Sequence, residues 1–103
     1  MRYIVNVLLE DIKTEITLRA DADRKTLAKR AAYAIAPKLQ EKCELKGALC
    51  LNYVFHGILY DCASEVWITD TNGKKYFLII THEDGRVVLG DIPNTYYLSG
   101  EEE

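Results

Sequence analysis

Residues 21–44, DADRKTLAKRAAYAIAPKLQEKCE, decide the fold, because only here do apolar side chains return at helical spacing. With Leu27 at zero and about 100° per residue, Leu27, Ala28, Ala31, Ala32, Ile35, Leu39 and Cys43 fall within roughly 160° of arc. That stripe is the face a helix lays on a sheet. Its alanines let the backbone sit close, while Lys25, Lys29, Arg30, Tyr33 and Gln40 point away. Asp21 or Asp23 supplies an N-cap, since a carboxylate accepts an unpaired amide and suits the positive end of the helix dipole. Pro37 lies inside the pattern, where it removes the bond to the Tyr33 carbonyl, so a kink or two short helices are expected. In the straight-helix phase Lys38 and Lys42 fall near the apolar stripe, and Gly47 is the expected stop.

Everything outside this stretch reads as strand or turn. Residues 2–19 form a hairpin with Glu10 and Asp11 at its tip, or with a four-residue loop over 9–12 that keeps the same register. Partners whose numbers sum to 21 then put Tyr3, Val5, Val7, Leu9, Ile12, Thr14, Ile16 and Leu18 on one face.

From Ala48 onward the chain alternates with period two. Asn72-Gly73 and Asp84-Gly85 are strong hairpin signals and His56-Gly57 a weaker one. Two-residue loops at all three are mutually consistent. They place Leu49, Leu51, Tyr53, Phe55, Ile58, Tyr60, Cys62, Val66, Ile68, Phe77, Ile79, Val88 and Ile92 toward the helix. A strand over 58–70 is long, so a bend is expected near Asp61 to Ser64. Pro93 ends the last strand and residues 94–99 wrap back over the body.

The predicted class is therefore α+β: an N-terminal β-hairpin, one kinked amphipathic helix and a four-strand antiparallel meander, with the helix packed on one face of the sheet. Residues 1–99 form a single domain, and 100–103 an acidic tail expected to be disordered. The chain is 49% hydrophobic and 28% charged, the balance of an ordinary globular protein. The apolar opening, residues 3–9, is too short for a signal core or a membrane span, so a cytoplasmic location is expected.

Net charge is −3, unevenly spread. Residues 19–46 hold eight basic and four acidic side chains, a local +4, against −7 for the remainder. A basic helix on an acidic body suits either an acidic protein or phosphate.

Chemistry is sparse. Cys43, Cys50 and Cys62 are an odd set without paired spacing, which argues against a disulfide framework and, even with His56 or His82, against structural zinc. Cys62 with His56 or His82, oriented by Asp61, is the one nucleophile arrangement the sequence offers, and Cys62 falls on the core face, where a thiol is inert. There is no Gly-rich phosphate loop, and no cofactor or metal is expected.

On the meander's second face Trp67, Leu78, Ile80, Val87 and Leu89 form an apolar group, with Trp67 opposite Leu78 and Ile80 opposite Leu89. Together they expose on the order of 600–800 Å², more than a monomer usually leaves bare. Either the chain's own termini cover this group, or it is a homodimer or partner surface anchored by Trp67. The expected function is a small intracellular protein-interaction module, an accessory or inhibitory factor of the kind phages and other mobile elements carry. Nucleic-acid binding through Lys25, Lys29, Arg30 and Tyr33 is the alternative, set against the acidic sheet. A Cys/His enzyme is the third reading.

Overall fold

Asp23 starts the helix in the computed structural model, which describes residues 1–55 and 65–90. Its backbone is extended and its Oδ1 accepts the Thr26 N–H at 2.7 Å, pairing one of the amides that every helix start leaves open. Helix α1 then runs Arg24–Lys42. Leu27, Ala28, Ala31, Ala32, Ile35 and Leu39 are buried, while Lys25, Lys29, Arg30 and Tyr33 are exposed.

Pro37 does not divide α1 in two. It is exposed, so the Tyr33 carbonyl that loses its amide partner lies where water can replace it. The helix ends before Gly47. Glu44 takes a left-handed φ of 53°, its N–H donates to the Glu41 carbonyl at 3.4 Å, and the Leu45 N–H donates to the Gln40 carbonyl at 3.0 Å. This is the paired closure of a Schellman ending, with Glu44 at the position glycine usually fills.

Among the described residues six strands make the sheet: β1 (Arg2–Val7), β2 (Ile12–Thr17), β3 (Cys50–Val54), β4 (Glu65–Thr69), β5 (Lys75–His82) and β6 (Val87–Leu89). The order is β2-β1-β5-β4-β3, with β6 also on β5, and every pairing is antiparallel. Successive residues of a strand turn their backbone groups to opposite edges. Lys74 offers its carbonyl to Asp70 before β4's partner strand begins, and His82 donates to Arg86 beside β6, whereas Phe77 accepts from Leu8 beside β1. β4 and β6 therefore share one edge of β5 end to end, and β1 takes the other. Gly90, at φ 95°, leaves the sheet at that junction; a Cβ there would collide with the Leu78 carbonyl and sit 3.0 Å from the Ile79 Cα.

Three registers differ from the expected ones. In the first hairpin Val7 pairs with Ile12 and Tyr3 with Ile16, partner numbers summing to 19, around a four-residue turn over 8–11. A tight two-residue turn needs two left-handed residues side by side, which Glu10-Asp11 do not favour; the longer turn carries positive φ at Leu9 and Asp11. A two-residue slip keeps every side chain on its face. Tyr3, Val5, Val7, Ile12 and Ile16 are buried as expected, but Leu9 moves to the tip, 75% exposed.

At Asn72-Gly73 the slip is one residue. Trp67 pairs with Phe77 and Ile68 with Tyr76, not Trp67 with Leu78. Asp70 is the reason. Its Oδ1 accepts the N–H groups of Asn72 (2.9 Å) and Lys74 (3.0 Å), and the Gly73 N–H closes on the Asp70 carbonyl at 3.0 Å. That network selects a type I turn followed by left-handed Gly73, a three-residue loop in place of two. One residue of slip inverts β5: Tyr76, Leu78 and Ile80 face the helix, and Phe77 and Ile79 the opposite side. The same loop recurs over 83–85, but a bulge after it restores Ile80 opposite Leu89, the expected pair.

The third difference concerns β3, which pairs with Glu65–Thr69 through Tyr53 and Val66. A two-residue loop at His56-Gly57 would have put Tyr53 opposite Tyr60, so that register does not occur. His56, Gly57, Ile58, Tyr60, Asp61, Cys62, Ile92, residues 94–99 and the acidic tail lie outside the described residues.

The core is one layer between α1 and the sheet, with Ile35, Leu39, Ile68, Leu78, Ile80, Leu89, Val5 and Val66 essentially inaccessible. Lys38 and Lys42 resolve the conflict in the helix phase by reaching past β2. Their ammonium groups donate to the Lys13 carbonyl at 3.2 Å and the Asp11 carbonyl at 3.1 Å.

Candidate interaction surface

Two surfaces were expected from the sequence, and the β5 register separates them. Leu78, Ile80 and Leu89 are wholly buried under α1, so they do not join Trp67 and Val87 in an apolar group. Trp67 is half-buried on the opposite face, its ring 5.8 Å from that of Phe77 and 5.3 Å from the Lys75 ammonium. Val87 is 45% exposed at the sheet's other end. Phe77 and Ile79 replace the three lost members beside Trp67, and Phe77 is itself nearly covered.

The helix surface holds together better. Lys25, Lys29 and Tyr33 stand four residues apart on one ridge of α1, with Arg30 beside them. Tyr33 is 80% exposed. Among the described residues, Lys25, Lys29 and Arg30 form no salt bridge, whereas Arg2 meets Glu15 and Glu83, Arg19 meets Asp21, Lys42 meets Asp11 and Arg86 meets Asp84. The face therefore presents an exposed aromatic ring with three cations close by on the same helix, none of them in a salt bridge among the described residues.

Beside that ridge lies a feature the sequence did not announce. The C-terminal turns of α1 press on the first hairpin through Lys38, Lys42 and the Cys43 thiol, whose Sγ donates to Glu10 Oε1 at 3.2 Å. Toward β3 the middle of the helix presents the small side chains of Ala32 and Ala36 beside Lys29 and Tyr33. A cleft of about 480 Å³ opens there, lined by Lys29, Ala32, Tyr33 and Ala36 from α1 and by Leu49, Leu51 and Tyr53 around β3, with Ile68 in its floor. Its size is that of ligand clefts, roughly 300–1,000 Å³. At one end the Tyr53 and Phe55 rings stack at 4.8 Å and Arg24 lies 5.2 Å over Phe55. Alanine at 36, one turn after Ala32, is the only sequence signal for this space, and it names a gap only once the strand opposite is known. Arg30 lines a separate shallow depression with Thr26 and Leu18.

For the catalytic alternative, His56, Asp61 and Cys62 lie outside the described residues. His82 is half-buried, its ring 5.4 Å from Tyr3. Burial, and then the bond to Glu10, push the Cys43 thiol above its ordinary value, the opposite of what a nucleophile needs. Among the described residues no three His, Cys, Asp or Glu side chains converge as a metal site, and no helix is long and apolar enough to cross a membrane.

The chain matches no protein-family model, no characterised protein and no solved structure.

Proposed function

We propose that this protein is a non-enzymatic interaction module that acts by occupying another protein, as an accessory or inhibitory factor, through the outer face of α1 and the cleft beside it. The observation that carries this reading is that, among the described residues, Lys25, Lys29 and Arg30 form no salt bridge while the Tyr33 ring beside them is exposed. Exposed charge near an uncovered aromatic ring is what a partner surface needs: the charges set approach and register, and the ring supplies buried area. The cleft adds a concave apolar seat next to those charges.

Trp67 remains a candidate for a second contact or a homodimer, with Phe77 in place of the buried residues. Nucleic acid is the competing ligand for the same cations. A photo-crosslinking residue at Tyr33, with one at Leu9 on the hairpin tip as control, separates these readings in source-cell extract. A protein adduct at 33, absent at 9 and lost in Lys29→Glu, is the expected result. Adducts alike at both positions, or none at 33, would overturn the proposal. Oligonucleotide binding that falls steeply with salt and disappears when Lys25, Lys29 and Arg30 become alanine would replace it with the nucleic-acid reading.

A further inference from the structure

The cleft and the cation ridge define what kind of segment fits them. Lys29 belongs to both: it lines the cleft, and it stands one turn from Lys25 on the open ridge. No acidic side chain lines the cleft among the described residues, although the chain as a whole is net negative. Its inner surface is apolar, since Ala32 and Ile68 are nearly inaccessible and Leu49, Leu51 and Tyr53 are half-buried against the core. Ala36 leaves open the space a larger helix residue would occupy.

We propose that the cleft takes a short acidic segment of a partner protein, with one large apolar side chain seated against Ala36, Leu51 and Tyr53 and carboxylates at Lys29 and Lys25. This rests on reading α1 as a protein-binding face and adds the chemistry of the partner. Lys25 and Lys29 are one helical turn apart, about 5–6 Å, which suits carboxylates on neighbouring turns or alternate residues of the segment. An acidic segment would also give salt-bridge partners to Lys25 and Lys29, which form none among the described residues and have the Asp23 carboxylate acting on them at the start of α1. A long phosphate backbone fits less well: the residues outside 19–46 carry net −7 and repel a polyanion that extends past α1.

The test is an array of synthetic peptides, each with a Trp, Leu or Lys anchor flanked by Glu, Gln or Lys, followed by fluorescence anisotropy on the best binders. Glu-flanked peptides with an apolar anchor are expected to bind, with amide shifts confined to α1 and β3. Lys29→Glu should weaken them by about tenfold, as like charges brought together at an interface do. Ala36→Trp fills the cleft without touching a charge and should weaken them too. Both sites lie outside the sealed core, and an unchanged melt shows that either variant is folded.

Absence of any anchor or charge preference, or binding that neither variant alters, would overturn the inference. If Tyr33 still crosslinks a protein while no peptide binds, the partner chemistry is wrong and the protein-binding reading stands. Loss of both results removes both.

Discussion

Cys43 and Cys50 show how far one side chain's surroundings set its chemistry. Cys43 donates its thiol hydrogen to Glu10, and burial with that bond raises its pKa, so little thiolate forms near neutrality. Cys50 is exposed on β3 at the cleft. Brief alkylation at neutral pH followed by peptide mapping should label Cys50 first and Cys43 only slowly. Equal labelling would mean that the Glu10 contact does not hold in solution. Asp70 is the other decisive residue. Asp70→Ala removes the acceptor for two turn amides and a partner of the Tyr76 hydroxyl, whose Oη lies 3.4 Å from Oδ2. Leaving such groups unpaired costs about 1–3 kcal/mol, and for a domain of this size each kcal/mol lowers the melting point by roughly 4–8 °C. A melt within error of wild type would remove Asp70 from its place in the turn.

At the level of elements, α1 was legible almost in full, because its period, its cap and its buried stripe all point the same way. Strand β5 was not. Tyr76 to Ile80 is apolar at every position, so neither face is marked, and its orientation falls to the turn before it. Asn72-Gly73 alone suggests two loop residues; Asp70, two positions upstream, makes it three. The basic ridge was readable because helical spacing places it, whereas the cleft depends on the distance between α1 and β3, which no local pattern contains. The cap also ties α1 to pH. The Thr26 N–H, bonded to Asp23, holds that carboxyl below its ordinary value near 3.8, as the Arg86 N–H does for Asp84. A lowered folded value means the ionised cap stabilises the helix fully above the ordinary value and loses that effect as pH falls through the folded one. Far-UV dichroism during acid titration should therefore show wild type losing thermal stability below that value, and Asp23→Asn, which still caps, losing less. Parallel curves for the two would show that the cap charge contributes nothing.

For the whole molecule, the arrangement of β4, β5 and β6 concentrates the core on one strand. β5 is held by β1 along one edge and by β4 and β6 along the other, so it contacts both halves of the chain. By contrast, among the described residues β2 closes the order at one side, with the carbonyls of Asp11 and Lys13 turned outward. Lys38 and Lys42 sit on those carbonyls. An uncovered strand margin is a template on which another copy of the same chain can add itself, and two charged ammonium groups lying across it deny that template to newcomers. Charged side chains at such a margin are the arrangement expected of gatekeepers against fibre growth. Replacing both lysines with alanine should leave the fold intact yet produce lag-phase, seedable thioflavin-positive assembly at concentrations where the wild-type protein stays monodisperse.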